Sequence, residues 1–179
     1  EYGFGEDEVA MLEELMRPEN LALLGGNGVD SFEKLTEEEI RTVLGDASGD
    51  VGTALSYALS KVGYPYSQEL RDSGDYYDCS SLVYYAWKAA GVDISFGGSY
   101  SAAAQAQGLE QAGKSVPLEE LQPGDLIYFS YVHNGRYKNI SHVAIYAGNG
   151  MIIEAANEST GVVYRNLHSR GSIVTVCRP

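Results

Sequence analysis

The sequence has 179 residues, of which 44% are hydrophobic, and its formal net charge is −13. This hydrophobic content supports a folded core and argues against wholesale disorder. No apolar run approaches the roughly 20 residues that a membrane-spanning helix needs. A chain without a basic patch cannot release counterions from phosphates, so we expect no binding of DNA or RNA.

The negative charge is concentrated at the beginning of the chain. Residues 1–50 carry 14 acidic and three basic residues, whereas residues 51–179 carry 11 and nine. The simplest interpretation of the acidic segment is a solvated surface, and the alternative is a docking face for a basic partner. Because the chain begins with Glu1, we expect a fragment of a longer protein, with any signal or anchor upstream.

The first 50 residues predict a small helical segment. Residues 6–17 have an amphipathic pattern, which predicts a helix that ends near Pro18. Glycines at 25, 26 and 28 then predict a turn.

A capping box indicates the next helix. Thr36 and Glu39 have the required spacing and predict a short helix through Leu44. Residues 45–50 predict a linker, so we divide the chain into an N-terminal segment, residues 1–50, and a main domain, residues 51–179.

The main domain begins with helices and ends with strands. Helices are predicted at 51–62, from Cys79 to about Ala90, and at 99–107. Short apolar runs separated by Gly or Asn predict strands at 126–129, 143–147, 151–155, 162–167 and 173–177. This order predicts an α+β fold with helices packed on one face of an antiparallel sheet.

Cys79 is the candidate nucleophile. It lies between Asp78 and Ser80 at the predicted start of a buried helix, where free N–H groups and the helix dipole favour a thiolate. The alternative, a buried structural cysteine, is equally compatible with this stretch alone. The only other cysteine is Cys177. We do not expect a disulfide, because it would consume the nucleophile.

His142 is the candidate base among three histidines. His133 and His168 lie in polar loop segments, where histidines are usually solvated. His142 begins a predicted strand, so the sheet would hold it rigidly. Such a residue is a candidate to take a proton from a cysteine.

Glu154 lies in an apolar strand, where a carboxylate is costly unless it is paired. A two-residue turn at 149–150 would place His142 and Glu154 on opposite faces of the sheet. A three-residue loop at 148–150 pairs Ala144 with Glu154 and makes His142 its diagonal neighbour. We predict the three-residue loop, since Gly150 suits its left-handed final position.

Together these residues predict a catalytic set. Cys79 attacks, His142 takes and returns a proton, and Glu154 orients the imidazole and stabilises its cation. The backbone N–H of Cys79 is a candidate donor to the developing oxyanion. The histidines and cysteines do not have zinc-ligand spacing, so we predict no metal site.

Residues 51–179 resemble the NlpC/P60 family of papain-like cell-wall peptidases. The resemblance rests on four segments in order: residues 63–66 (GYPY), 78–83 (DCSSLV), 121–126 (LQPGDL) and 141–150 (SHVAIYAGNG). The cysteine segment alone is a weak signal, whereas the ordered set is specific.

The resemblance implies further residue roles. The catalytic triad falls on Cys79, His142 and Glu154, and Tyr66 helps to shape the oxyanion site. The side chains beside the nucleophile, Asp78, Ser80 and Ser81, are implied to face the substrate. The sequence departs from the family pattern in four respects. The third triad position is more often His, Asn or Gln, and Ser81 replaces a glycine. The loop at 130–140 is long, and the stretch between Tyr66 and Cys79 lacks the usual paired glycines.

The implied activity is hydrolysis of a peptidoglycan stem peptide, typically at the γ-D-glutamyl–diamino acid bond, without a cofactor. We expect a secreted or envelope-bound monomer. Two alternatives remain open, namely an amidase or acyltransferase with the same fold and a catalytically silent wall-binding module.

Overall fold

The computed structural model describes residues 29–179, so the helix predicted at 6–17 and the turn at 25–28 lie outside the described residues. Its helices are α1 (Glu37–Leu44), α2 (Gly49–Ser60), α3 (Cys79–Ala89) and α4 (Ala102–Gln111). Its strands are β1 (Leu126–Phe129), β2 (His142–Gly148), β3 (Met151–Ala155), β4 (Val162–Asn166) and β5 (Ile173–Cys177). Three short 3₁₀ turns complete the description, at Leu118–Glu120, Tyr137–Asn139 and Arg170–Ser172.

The strands form one antiparallel sheet in the order β4-β3-β2-β1-β5, which confirms the predicted fold class. The helices pack on one face, where α3 buries Leu82, Val83, Ala86 and Trp87. The opposite face has its own apolar cluster around Ile127 and Ile152. Burial on both faces explains why the strands are nearly continuous apolar runs rather than alternating ones. In residues 29–179, no helix is long and apolar enough to cross a membrane.

The segment before the main domain packs against it. Thr36 and Glu39 form the predicted capping box at the start of α1. Leu35 is buried in the core, and Ser31 exchanges two backbone hydrogen bonds with Tyr164 of β4 at 2.6 and 3.0 Å. Residues 30–44 are therefore attached to the edge of the sheet.

Two predicted boundaries are wrong. The linker predicted at 45–50 is shorter, because α2 begins at Gly49. The division at residue 50 stays a proposal, although α2 crosses it. The helix predicted at 99–107 begins later, at Ala102, because the Ser101 hydroxyl accepts a hydrogen bond from Ala104 N at 3.3 Å and caps it.

The hairpin between β2 and β3 differs from the prediction in its turn. The predicted three-residue loop is wrong: Gly148 pairs with Met151 across a two-residue turn, Asn149 and Gly150, with φ of 54° and 74°. Positive φ at both turn residues suits a hairpin of this length. A β-bulge between Tyr146 and Gly148 then shifts the register by one residue.

Beyond the bulge, the pairing of β2 with β3 follows the predicted register, and this part of the hairpin contains His142 and Glu154. Ile145 pairs with Ile153, so Ala144 lies opposite Glu154 in the same register. His142 and Glu154 therefore share a face of the sheet, as predicted, although a bulge rather than a longer loop is the cause.

Gly161 allows the loop before α3 to approach the start of β4. Val162 N donates to Tyr64 O at 2.9 Å, and Gly63 N donates to Val162 O at 2.9 Å. Gly161 has φ of +74°, and a Cβ there would lie 2.5 Å from Tyr64 O. Glycine is required here for both its conformation and its small size.

We expect Gly161→Ala to reduce the free energy of unfolding by about 2–4 kcal/mol, through a left-handed alanine and displacement of the Tyr64 carbonyl. Gly113→Ala is the matched control, because Gly113 also has φ of +74°, but no atom of residues 29–179 lies within 4 Å of the place that an alanine methyl group would take. It should cost only about 1–2 kcal/mol. Urea unfolding measures both, and equal losses would contradict the importance of the close approach.

Candidate active site

A capping box places Cys79 at the first position of α3. Asp78 is the N-cap residue, and its Oδ1 accepts a hydrogen bond from Ser81 N at 2.8 Å. In return, Asp78 N donates to Ser81 Oγ at 3.0 Å. These reciprocal bonds define where the helix begins, and they hold the half-buried Cys79 at its N-terminal end.

A buried glutamine fixes the same turn from the other side. Gln105 of α4 is fully buried, and its Nε2 donates to Ser80 O at 3.0 Å and to Tyr100 O at 2.7 Å. Its Oε1 accepts from the Tyr128 hydroxyl at 3.2 Å. This residue was not predicted from the sequence. A polar amide inside an alanine-rich helix was the signal for it.

Cys79 and His142 line one cleft of about 640 Å³. The cleft is also lined by three of the four residues expected near the substrate, Tyr66, Asp78 and Ser80. The candidate nucleophile and the candidate base come from different layers of the fold. The helix N-terminus supplies the first, and the first residue of β2 supplies the second.

His142 connects Cys79 to Glu154. Its imidazole lies near enough to the Cys79 side chain for their charges to interact, and its Nε2 lies 2.6 Å from Glu154 Oε2. The carboxylate uses Nε2, which leaves Nδ1 for the thiol. The rings of Phe129 and Tyr131 lie beside the imidazole, with centroid distances of 5.6 and 6.0 Å. The predicted proximity of all three residues is therefore observed.

Glu154 is only 1% exposed and has two further partners on its other oxygen. Oε1 accepts from Arg165 Nε at 2.7 Å and also from Arg165 Nη2, and it lies 2.8 Å from His168 Nε2. Burial opposes ionisation, but the hydrogen bonds from His142 and His168 and the nearby positive charges outweigh it. The pKa of Glu154 is therefore held well below its usual range.

Arg165 was not predicted from the sequence, and the expectation for His168 was wrong. Arg165 pairs with Ile152, so strand alternation puts it on the same face as Glu154. A buried acid needs a partner, and the strand alternation of β4 could have identified Arg165 as that partner.

His168 was expected to be solvated, but its ring stacks on Phe129 at 6.2 Å and its Nε2 contacts Glu154. His168 lies in the turn after β4, where no strand or helix periodicity predicts the direction of its side chain.

The electrostatics of His142 follow from its two neighbours. Burial alone would lower the pKa of the imidazole, because it disfavours the cation. Hydrogen bonds and negative charge from Cys79 and Glu154 outweigh burial and raise the pKa of His142 to about 10. The imidazolium form is thus favoured at neutral pH.

The residues expected near the substrate have different surroundings. Burial, followed by the negative charges of Cys79 and Asp78, raises the pKa of Tyr66 to about 12, so its phenol remains a donor at neutral pH. The Asp78 carboxylate also accepts from Ser80 Oγ at 3.0 Å and pairs with Arg71 at 3.1 Å.

Ser81 does not line the cleft. It is fully buried, and its hydroxyl is used in the capping box with Asp78. The structure thus contradicts its expected place beside the substrate, because the third helical position turns inward beneath the N-cap residue.

Both cysteines are free thiols. Burial raises the pKa of Cys177 to about 11, so this thiol is protonated at neutral pH.

Comparisons with known proteins identify the family of this chain. The sequence model of the NlpC/P60 family matches residues 63–178. A probable endopeptidase of Mycobacterium tuberculosis is 32% identical over 127 residues, which cover 71% of this chain and 29% of the relative. The peptidoglycan DL-endopeptidase CwlO of Bacillus licheniformis is 38% identical over 86 residues, covering 48% of this chain and 16% of the relative.

A solved structure resembles nearly the whole chain. The peptidoglycan hydrolase RipB of Mycobacterium tuberculosis matches with a TM-score of 0.56 and 25% identity, covering 97% of this chain and 85% of that one. By contrast, the chain spans less than a third of the length of the first curated relatives. The family match covers well over half of the chain and contains Cys79, His142 and Glu154, and the chain therefore belongs to the NlpC/P60 family.

Proposed function

We propose that this chain is a cysteine endopeptidase that hydrolyses peptidoglycan stem peptides with Cys79, His142 and Glu154. The observation that carries the proposal is that Cys79 and His142 line one cleft, while His142 Nε2 lies 2.6 Å from the buried carboxylate of Glu154. The names of the relatives, which include peptidoglycan endopeptidases and hydrolases, support the substrate class.

In the proposed reaction, Cys79 reacts as a thiolate paired with the His142 imidazolium. The thiolate attacks the scissile carbonyl, and the Tyr66 phenol and the Cys79 N–H donate to the oxyanion. His142 gives its proton to the leaving amine, which leaves an acyl-enzyme. The neutral imidazole then takes a proton from water, and the hydroxide releases the acyl group and restores the thiolate. Glu154 holds the ring and balances its charge.

We further propose the γ-D-glutamyl–diamino acid bond as the scissile bond, on the family resemblance. A cell-wall substrate implies a protein that acts outside the cell or in the envelope, and we propose that it acts as a monomer. The activity needs no cofactor, because thiolate, imidazolium and oxyanion donors supply every step.

Cys79→Ala should abolish the release of stem-peptide fragments from defined muropeptides, because it removes the nucleophile. Mass spectrometry of the products measures this. Cys177→Ala is the matched control, since this second thiol is buried on β5 away from the cleft lining, and it should retain activity. Unchanged cleavage by Cys79→Ala would overturn the proposal.

Product masses and the alkylation rate of Cys79 separate the two alternative functions. An acyltransferase would attach an acceptor other than water, which changes the product mass. A silent wall-binding module would release nothing, and its Cys79 would react with iodoacetamide no faster than a cysteine in the unfolded chain.

Glu154→Gln should shift the alkaline limit of activity. The carboxylate helps to raise the pKa of His142 to about 10, so kcat/KM of the parent should fall only as the pH passes that value. Without the negative charge the imidazolium loses its proton at lower pH, and the limit should move down by about one unit or more. We also expect kcat to fall by on the order of 100-fold.

The control for this variant is Glu119→Gln, which makes the same chemical change at an exposed position outside the cleft. Its pH profile should match that of the parent. An unshifted alkaline limit in Glu154→Gln, in a protein whose near-UV circular dichroism is native, would contradict the role of Glu154.

A further inference from the structure

The cleft contains two arginines that differ in their partners. Arg71 Nη1 lies 3.1 Å from Asp78 Oδ2, and its guanidinium is 4.5 Å from the centre of the Tyr100 ring. Arg136 lines the same cleft, but its guanidinium has no hydrogen bond or ion pair with residues 29–179. Only its backbone is bonded: its N donates to Asn134 Oδ1 at 2.9 Å, and its O accepts from Asn139 N at 2.9 Å. Within residues 29–179, Arg136 is thus an uncompensated positive charge in the cleft that Cys79 also lines.

The backbone that carries Arg136 is held in place from within its own loop. Asn139 Oδ1 accepts hydrogen bonds from the backbone N atoms of Asn134 and Gly135, each at 3.1 Å. Asn134 Nδ2 donates to Ile140 O at 3.1 Å. These bonds close the loop on both sides of Arg136, so a ligand would have to order only the side chain.

The same loop is also tied to the rest of the domain through Glu110 of α4. This carboxylate accepts from Tyr137 Oη, lies 2.7 Å from Lys138 Nζ and accepts from Thr175 Oγ1 at 2.6 Å. The charge of Lys138 is therefore compensated, whereas that of its near neighbour Arg136 is not. Among residues 29–179, this wall of the cleft has one guanidinium without a partner.

The net charge of the protein bears on the role of the Arg136 guanidinium. A protein with a net charge of −13 repels anions at long range, which disfavours an anionic peptide substrate. A planar guanidinium offers two parallel donors that match a carboxylate. Beside it, Tyr131 and Val132 are 46% and 61% exposed and provide an apolar wall for an aliphatic stem.

We propose that Arg136 binds a free carboxylate of the stem peptide, so that peptides carrying this carboxylate are cleaved in preference to their amidated forms. The inference rests on the proposed function and specifies its substrate. Two carboxylates flank the proposed scissile bond. One is the α-carboxylate that a γ-linked glutamyl residue leaves free, and the other is the side-chain carboxylate of the diamino acid.

Four synthetic stem peptides distinguish these sources: both groups free, the glutamyl group amidated, the diamino-acid group amidated, and both amidated. Mass spectrometry gives kcat and KM for each. We expect the parent to lose about tenfold in kcat/KM when the recognised group is amidated, which is the usual effect of one charge-assisted contact. Amidation of the other group should have little effect.

Arg136→Gln should raise KM for the free peptide about tenfold with little change in kcat, and should remove the preference. Arg136→Lys should keep part of the preference, because the charge remains but the paired donors do not. Arg41→Gln is the matched control, since Arg41 is exposed on α1, lies outside the cleft and pairs with Glu37 one turn away. It should behave like the parent.

Calorimetric binding to Cys79→Ala separates this inference from the proposed function. Carboxylate-dependent binding that Arg136→Gln abolishes supports the inference even if no peptide is cleaved, in which case only the proposed function fails. Equal cleavage of all four peptides by the parent, or an equal loss on all four in Arg136→Gln, overturns the inference alone. Absence of carboxylate-dependent binding overturns it whatever the cleavage result. The rate of Cys79 alkylation reports whether each Cys79-containing variant keeps a native site.

Discussion

The buried carboxylate of Glu154 is the constraint on which the site depends. An ionised carboxylate on an apolar sheet face is tolerated only when its charge and lone pairs are satisfied. Here His142 bonds one oxygen, and Arg165 and His168 bond the other. The sheet therefore brings strands β2, β3 and β4 and the following turn to one point. The same contacts favour the imidazolium that the thiol faces.

The candidate nucleophile, Cys79, is positioned by a different set of contacts. Its place depends on the helix N-terminus, which the Asp78–Ser81 capping box and the buried Gln105 define from two sides. Helix packing against the sheet then brings the thiol to the imidazole. Hydrogen bonds hold each of the two candidate groups in place, and such preorganisation is what catalysis by them would require.

The net charge of the chain and the charges inside the cleft differ in character. The chain as a whole is strongly acidic, and its N-terminal part carries most of the excess. Within the described cleft, the charges are paired one by one, as in Arg71 with Asp78, except at Arg136. The role that we propose for this arginine is therefore to select the peptide and not to take part in the reaction.

Local pattern in the sequence determined the elements, the order of helices before strands, and the candidates Cys79, His142 and Glu154. Helix caps and side-chain periodicity depend on a few neighbouring residues, so they can be predicted from the sequence without knowledge of the fold. Only the tertiary structure decided the bulge that sets the hairpin register, the inward position of Ser81, and the partners Arg165 and His168. These depend on contacts between strands and turns distant in sequence, where total burial and charge pairing outweigh local preference.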